Sequence, residues 1–170
     1  KTLFGAKIIP ARGAWVEIES EADGVIYVKI DRKKKFPISS LLRVLGVEKE
    51  ADMLKLVKDI PRGEEYMKAT IAKDPAKTTD DSYVEIYRRL RDADLATVEN
   101  AREFVKSIFA PERYDLSEIG RHHFNNRFGL ATDKKATDIR TVTTDDVKLI
   151  LTHIIESNHD ASALPDDIDH

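Results

Sequence analysis

The sequence predicts an α+β fold, with antiparallel strands first and a bundle of about five to six helices after them. Apolar and acidic residues alternate near the start of the chain, which is typical of half-buried strands. Further along, apolar residues recur three and four positions apart, which is typical of helices. We predict one domain over 1–170, strand-rich over 1–36, helical over 37–156, with a terminal tail over 157–170.

The strand-rich part contains three segments with β character. Residues 3–9 are apolar and β-compatible, and residues 15–19 alternate apolar and acidic side chains. Residues 25–30 follow after Ala22-Asp23-Gly24, a combination that favours a turn. The sequence therefore predicts an antiparallel hairpin, which a charged connector over 31–35 links to the helical part.

Helix boundaries follow from residues that favour helix ends. These are Pro37 and Gly46 around the first helix, the Asp74-Pro75 break, the caps Thr97 and Thr143, and a capping box of Asp115 with Glu118. The helix after Thr143 is the clearest, because its apolar residues form one stripe. Residues 131–142 have the polar composition of a loop.

Composition limits the classes of protein that this chain can represent. Of its 170 residues 41% are hydrophobic, enough for a core, and the formal net charge is −3. The charge is uneven: residues 1–47 hold nine basic and five acidic residues, so a polyanion would favour this part. Without cysteine there is no disulfide or thiolate site. No apolar run approaches the roughly 20 residues that span a bilayer, and both ends resemble cuts in a longer chain.

The sequence contains no motif for an independent active site. It has no glycine-rich phosphate loop and no G-x-S-x-G element. His122 and His123 are adjacent, so on a helix they point about 100° apart, which disfavours chelation of one ion. Asp166, Asp167, Asp169 and His170 could attract a hard cation, but a solvated terminus is the simpler interpretation. We therefore predict no catalytic residue and no metal site.

Seven segments, in order along the chain, together resemble the β subunit of bacterial RNA polymerase. They are AKIIPARGAW at 6–15, IDRKKKFP at 30–37, LLRVLG at 41–46, VEIYRRLR at 84–91, TVENA at 97–101, RYDLSEIGR at 113–121 ahead of FN at 124–125, and DDIDH at 166–170. No single segment identifies the family. The resemblance rests on the order and spacing of all seven segments along the chain.

The resemblance implies part of a multisubunit DNA-directed RNA polymerase, a cytoplasmic, nucleoid-associated nucleotidyltransferase. This region is implied to be the lobe, one wall of the cleft that holds downstream DNA, with no membrane contact. The implied partners are the rest of β, the β′, α and sigma subunits, downstream DNA with its non-template strand, and transcription regulators. The catalytic Mg²⁺ of that family is held by β′, so no cofactor is expected here.

The resemblance also implies a contact with the non-template strand. Trp15, the only tryptophan, matches a residue that stacks on an unpaired base, and Ile168 and Asp169 match residues that line a pocket for the next base. The alternative for Trp15 is an ordinary core aromatic. If the domain is inserted into its host, its ends are adjacent, and Trp15 and Asp169 should then lie on one side of the fold.

Arg32, Lys33, Lys34 and Lys35 form the strongest basic run. They are interpreted either as phosphate contacts, which add affinity without sequence information, or as solvated charges at the end of the hairpin. Two other functions stay open. The domain could serve mainly as a docking module for sigma factor or regulators, with little DNA contact, or it could be an independent enzyme that uses His122 or the terminal acidic cluster.

Overall fold

The computed structural model describes residues 4–91 and 97–159, where four strands precede eight helices. The strands are β1 (Gly5–Ile8), β2 (Val16–Ser20), β3 (Ile26–Ile30) and β4 (Phe36–Pro37). The helices are α1 (Ile38–Val44), α2 (Glu50–Leu56), α3 (Gly63–Lys73), α4 (Thr79–Arg91), α5 (Val98–Ile108), α6 (Glu118–Arg127), α7 (Lys134–Thr137) and α8 (Thr144–His159). The predicted α+β class is confirmed, but the described ranges hold more helices than the predicted five to six, since short ones show little helical period in the sequence.

The strands form one antiparallel sheet in the order β1-β2-β3-β4. The central hairpin pairs Val16 with Ile30 and Ser20 with Ile26, which confirms the hairpin that the sequence predicts. Its turn closes with a 3.0 Å hydrogen bond from the Gly24 N–H to the Glu21 carbonyl, and Gly24 adopts a φ of +84° that favours glycine.

The core lies between one face of the sheet and the helices. In β2 the inward positions Val16 and Ile18 are almost fully buried, as the alternating pattern requires. Helix α8 contacts β1, β2 and α3, whereas α1, α3 and α4 contact the β3–β4 side. The predicted apolar stripe of α8 is buried as a whole and consists of Val147, Ile150, Leu151, Ile154 and Ile155.

Two of the three predicted helix caps are confirmed. The Thr97 hydroxyl accepts a 3.1 Å hydrogen bond from Asn100 N–H, and the Thr143 hydroxyl accepts one from Asp146 N–H at 3.2 Å. The predicted capping box of Asp115 with Glu118 is wrong. Ser117 is the N-cap of α6, and its hydroxyl accepts from Gly120 N–H at 3.0 Å.

Two predicted segment boundaries also change. The stretch 131–142, predicted as a loop, contains α7, whose N-cap Asp133 accepts a 2.9 Å hydrogen bond from Ala136 N–H. Helix α8 continues to His159, three residues into the predicted tail of 157–170. Among residues 4–91 and 97–159, no helix combines the length and apolar character needed to cross a membrane.

Candidate nucleic-acid interface

Trp15 lies at one end of the inner strand β2, one residue before that strand begins. Because side chains alternate along a strand, its neighbour Val16 points into the core, and Trp15 points away from it. The side chain is half-buried, so the alternative of a tryptophan sealed in the hydrophobic interior does not hold. Part of the indole surface therefore remains accessible to a ligand.

Two cationic side chains lie near the Trp15 ring. The Arg32 guanidinium carbon lies 5.1 Å from the ring centroid, and the Lys7 ammonium nitrogen lies 5.9 Å from it. Both distances suit cation–π attraction. Lys7 comes from β1 and Arg32 from the turn after β3, so the sheet brings together three residues that are spread over 26 positions of sequence. The result is an aromatic surface in a positive environment.

The loop before Trp15 is fixed against a distant loop. Arg12 and Asp115 exchange two backbone hydrogen bonds of 3.1 and 2.8 Å, and the Arg12 guanidinium donates to the Pro111 carbonyl at 3.2 Å. Gly13 adopts a φ of +121° next to the buried Tyr114. Burial raises the pKa of the Tyr114 hydroxyl, which therefore stays protonated. This packing limits where Trp15 can lie.

Gly13→Ala is expected to lower the free energy of unfolding by about 1–3 kcal/mol. A Cβ at this position would lie 2.8 Å from the Arg113 carbonyl oxygen and 2.9 Å from a ring carbon of Tyr114. Gly46→Ala is the matched control, because Gly46 has a similar φ of +117° and a methyl group added there would meet no atom within 4 Å. Denaturant unfolding of the two variants measures the difference, and equal losses would contradict the steric explanation.

The basic run does not act as one patch. Arg32, Lys33 and Lys34 are exposed, but Lys35 is half-buried. The Lys35 ammonium forms an ion pair with Glu21 and lies 4.4 Å from the centroid of the Tyr27 ring. The hydrogen bond to Glu21 raises the pKa of Lys35, so this lysine stays charged while its charge is already compensated.

A groove of about 400 Å³ is lined by Ala14, the residue before Trp15, but not by Trp15 itself. Its lining consists of Ala14, Ile30, Asp31, Lys33, Leu90, Arg91, Phe104, Ser107, Ile108 and Arg113. Three of these residues are cations and one is an acid, so the groove is electropositive. Sequence reasoning missed Arg91 and Arg113, because each lies more than 70 residues from Trp15 and no local pattern marks it as a partner.

Ile168 and Asp169 lie outside the described residues, so the expected proximity of Asp169 to Trp15 stays a prediction. Near the described ends, the Ser20 hydroxyl donates to the Phe4 carbonyl at 3.2 Å and accepts from the Asn158 amide at 2.9 Å. The two ends of the described chain therefore meet at the far end of β2 from Trp15.

The two histidines lie next to each other on the surface of α6. His122 and His123 are both exposed on α6, with ring centroids 6.3 Å apart and planes at 87°. In the described ranges, 4–91 and 97–159, no three acidic or histidine side chains gather as ion ligands. The acidic cluster of Asp166, Asp167, Asp169 and His170 lies outside those ranges.

Comparison with known proteins gives the family. The family model described as RNA polymerase Rpb2, domain 2, matches residues 2–170. The chain belongs to this family. It is 42% identical over 132 residues to the DNA-directed RNA polymerase subunit beta of Alkaliphilus oremlandii, covering 77% of this chain and 10% of that protein. It is 44% identical over 131 residues to the subunit of the same name from Staphylococcus saprophyticus, covering 76% and 11%.

The resemblance to the polymerase β subunit is thereby confirmed. The Rpb2 domain 2 chain spans about a tenth of the length of the curated relatives that it matches. A third relative, the DNA-directed RNA polymerase subunit beta of Clostridium novyi, is 42% identical over 131 residues, again with 76% of this chain and 10% of that protein.

Proposed function

We propose that this Rpb2 domain 2 chain is the lobe of a bacterial RNA polymerase β subunit and contacts the non-template DNA strand through Trp15. The observation that carries the proposal is the half-buried Trp15 ring with Arg32 and Lys7 near its centroid. The residue before it, Ala14, lines a groove that also holds three cations. Every base has a π-face, so stacking on an indole tolerates any sequence, while cations attract the phosphates.

In this proposal the chain forms a wall of the downstream DNA cleft and supplies no catalytic group. The whole assembly is a cytoplasmic, nucleoid-associated nucleotidyltransferase whose Mg²⁺ is held by β′. The rest of β, the β′, α and sigma subunits and transcription regulators are its protein partners. Exposed Arg32 and Lys33 are the best placed phosphate contacts of the basic run, because Lys35 is already paired with Glu21.

Ile168 and Asp169 complete the proposed interface as the wall of a pocket for the base that follows the stacked one. A carboxylate accepts hydrogen bonds from the N–H groups of a guanine edge, which is accessible in an unpaired base. The chain from His159 to Asp169 has ten residue steps, which reach roughly 33 Å when extended. Asn158 contacts Ser20 at the far end of β2, so the tail must span the length of β2, about 17 Å, to bring Asp169 to Trp15. That distance is shorter than the extended tail.

Trp15→Ala is expected to weaken binding of the unpaired non-template strand by about 1–3 kcal/mol, or roughly 5- to 150-fold. The measurement uses assembled polymerase on DNA that carries 2-aminopurine in the unpaired non-template segment, since stacking quenches this base. The quenching should fall in Trp15→Ala and persist in Trp15→Phe, which keeps an aromatic face. Because stacking carries no net charge, the loss should be similar at two salt concentrations.

The second candidate is a docking module with little DNA contact, and the groove supports it. Leu90, Phe104 and Ile108 give the groove an apolar floor. Two side chains of the same region pack against the Phe104 ring. The Tyr87 ring lies edge-on with its centroid 5.3 Å away, and the Arg91 guanidinium carbon lies 5.2 Å from the Phe104 centroid. Unchanged 2-aminopurine fluorescence and open-complex lifetime in Trp15→Ala would contradict the DNA proposal and favour docking.

A further inference from the structure

The turn that follows β3 has an unusual backbone. Asp31 and Arg32 both have positive φ, 52° and 60°, and the Lys33 N–H donates to the Ile30 carbonyl at 3.1 Å. Positive φ at both central positions defines a type I′ turn, which favours sequences such as Asn-Gly or Asp-Gly. Arginine at the second central position is disfavoured by its side chain, so other contacts must hold this turn in place.

Two hydrogen bonds join the turn to Trp15. The Asp31 N–H donates to the Trp15 carbonyl at 2.9 Å, which extends the β2–β3 ladder beyond the Val16–Ile30 pair. The Trp15 N–H donates to the Asp31 carboxylate at 2.8 Å. One residue therefore satisfies both backbone groups of Trp15, and the carboxylate takes the place that a carbonyl of the neighbouring strand would occupy in a longer ladder.

The same turn sets the position of a cation on the indole. Arg32 follows Asp31 directly, and its left-handed conformation brings the guanidinium carbon to 5.1 Å from the Trp15 ring centroid. If the turn relaxed to an ordinary conformation, the direction of the Arg32 side chain would change together with the end of β2. The backbone of Trp15 and the cation near its ring thus depend on one exposed carboxylate.

We propose that Asp31 is a positioning residue, whose carboxylate fixes the Trp15 backbone and the Ile30–Lys33 turn so that the indole is presented for stacking. This inference rests on the proposed function, because it assigns to Asp31 a role in the contact that Trp15 makes. Asp31 itself touches no base. Its effect passes through the hydrogen bond to Trp15 and through the turn that carries Arg32.

A purely electrostatic role for Asp31 is the competing explanation. Asp31 is exposed and lies in the groove with Lys33 and Arg113, so its charge lowers the local positive potential. Removal of that charge would strengthen phosphate binding, whereas removal of the hydrogen-bond acceptor would weaken stacking. Asp31→Asn separates the two, because asparagine lacks the charge, keeps a side-chain oxygen as acceptor and tolerates positive φ.

The test uses assembled polymerase with 2-aminopurine in the unpaired non-template segment, in Trp15→Ala and four further variants of this chain. Asp31→Ala should weaken the quenched complex about 3- to 10-fold, as expected for one lost hydrogen bond. Asp31→Gly should weaken it similarly, since glycine permits the positive φ but provides no acceptor. Asp31→Asn should stay within about 2-fold of the parent. Asp133→Ala, which removes a side-chain cap in α7, is the matched control and should leave the signal unchanged.

The outcomes separate this inference from the function on which it rests. If Trp15→Ala abolishes quenching but Asp31→Ala and Asp31→Gly do not weaken it, the positioning role is overturned while the stacking proposal stands. If Asp31→Asn weakens the complex as much as Asp31→Ala does, a side-chain oxygen acceptor at this position is not sufficient, and the inference is again overturned. If Trp15→Ala itself has no effect, the proposed function fails and the role of Asp31 fails with it. Loss in Ala and Gly with retention in Asn supports the inference.

Discussion

Asp74→Ala is expected to lower the free energy of unfolding by about 3–5 kcal/mol, because it leaves the Arg43 guanidinium buried without its counter-charge. Both side chains of this ion pair are 0% exposed, and they approach to 3.0 Å. The Asp74 carboxylate also accepts from the Ser39 and Ser40 hydroxyls and from the Ala76 N–H. It thereby ties α1 to the segment that separates α3 from α4.

Denaturant unfolding of the chain measures this loss, with Asp80→Ala as the control. Asp80 forms an exposed ion pair with Arg102 at 2.8 Å, which is worth about 0–1 kcal/mol. The double variant Arg43→Met with Asp74→Ala should recover part of the stability, because no unpaired charge remains buried. A loss in Asp74→Ala no larger than that in Asp80→Ala would show that the buried pair contributes little.

Arg121→Ala is expected to lower the free energy of unfolding by about 3–5 kcal/mol, because it leaves the buried Asp146 carboxylate without its counter-charge. The Arg121 guanidinium donates to both oxygens of the Asp146 carboxylate at 2.7 and 2.8 Å, and also to the carbonyls of Ile139 and Thr141. Its removal leaves the buried Asp146 with the Thr143 N–H as its remaining hydrogen-bond donor in the described structure. The segment between α7 and α8 should therefore loosen along with the global loss.

Hydrogen exchange of the amides over 139–146, together with denaturant unfolding, tests this expectation. Arg127→Ala is the matched control on the same helix, because Arg127 is exposed at the end of α6. Arg121→Lys should recover only part of the stability, since an ammonium group cannot donate in the two-pronged geometry that the carboxylate accepts. Equal exchange rates in Arg121→Ala and Arg127→Ala would contradict a local anchoring role.

The N-cap of α6 is a feature that the local sequence pattern predicts incorrectly. Asp115 and Ser117 are both good N-cap residues, and the sequence favours Asp115 because Glu118 follows at the capping-box spacing. In the structure the backbone of Asp115 bridges to Arg12, more than 100 residues away, and its carboxylate accepts from the Ser117 N–H at 2.7 Å. The long-range contact places Asp115 outside the helix, so α6 begins after Ser117 and not at the start that the local pattern favours.

The residues of the candidate site also fall into two groups, those that the sequence identifies and those that the fold brings to them. Trp15 and the run from Arg32 to Lys35 were identified from the sequence, through their resemblance to a family and their charge. That Lys35 is paired with Glu21, and that Lys7 lies near the indole, follows from strand pairing that no sequence spacing indicates. The same holds for Arg91 and Arg113, which reach the groove from the helical part.

The linear pattern of residues was enough to predict the α+β class, the β2–β3 hairpin, the apolar stripe of α8 and the caps at Thr97 and Thr143. These features depend on side-chain periodicity and on hydrogen bonds within a few residues, which a linear pattern records. The Arg43–Asp74 and Arg121–Asp146 ion pairs and the residues around Trp15 became visible in the folded chain alone. Each depends on which distant surfaces pack together, because a buried charge or a half-exposed ring takes its partners from whatever the fold brings within a few ångströms.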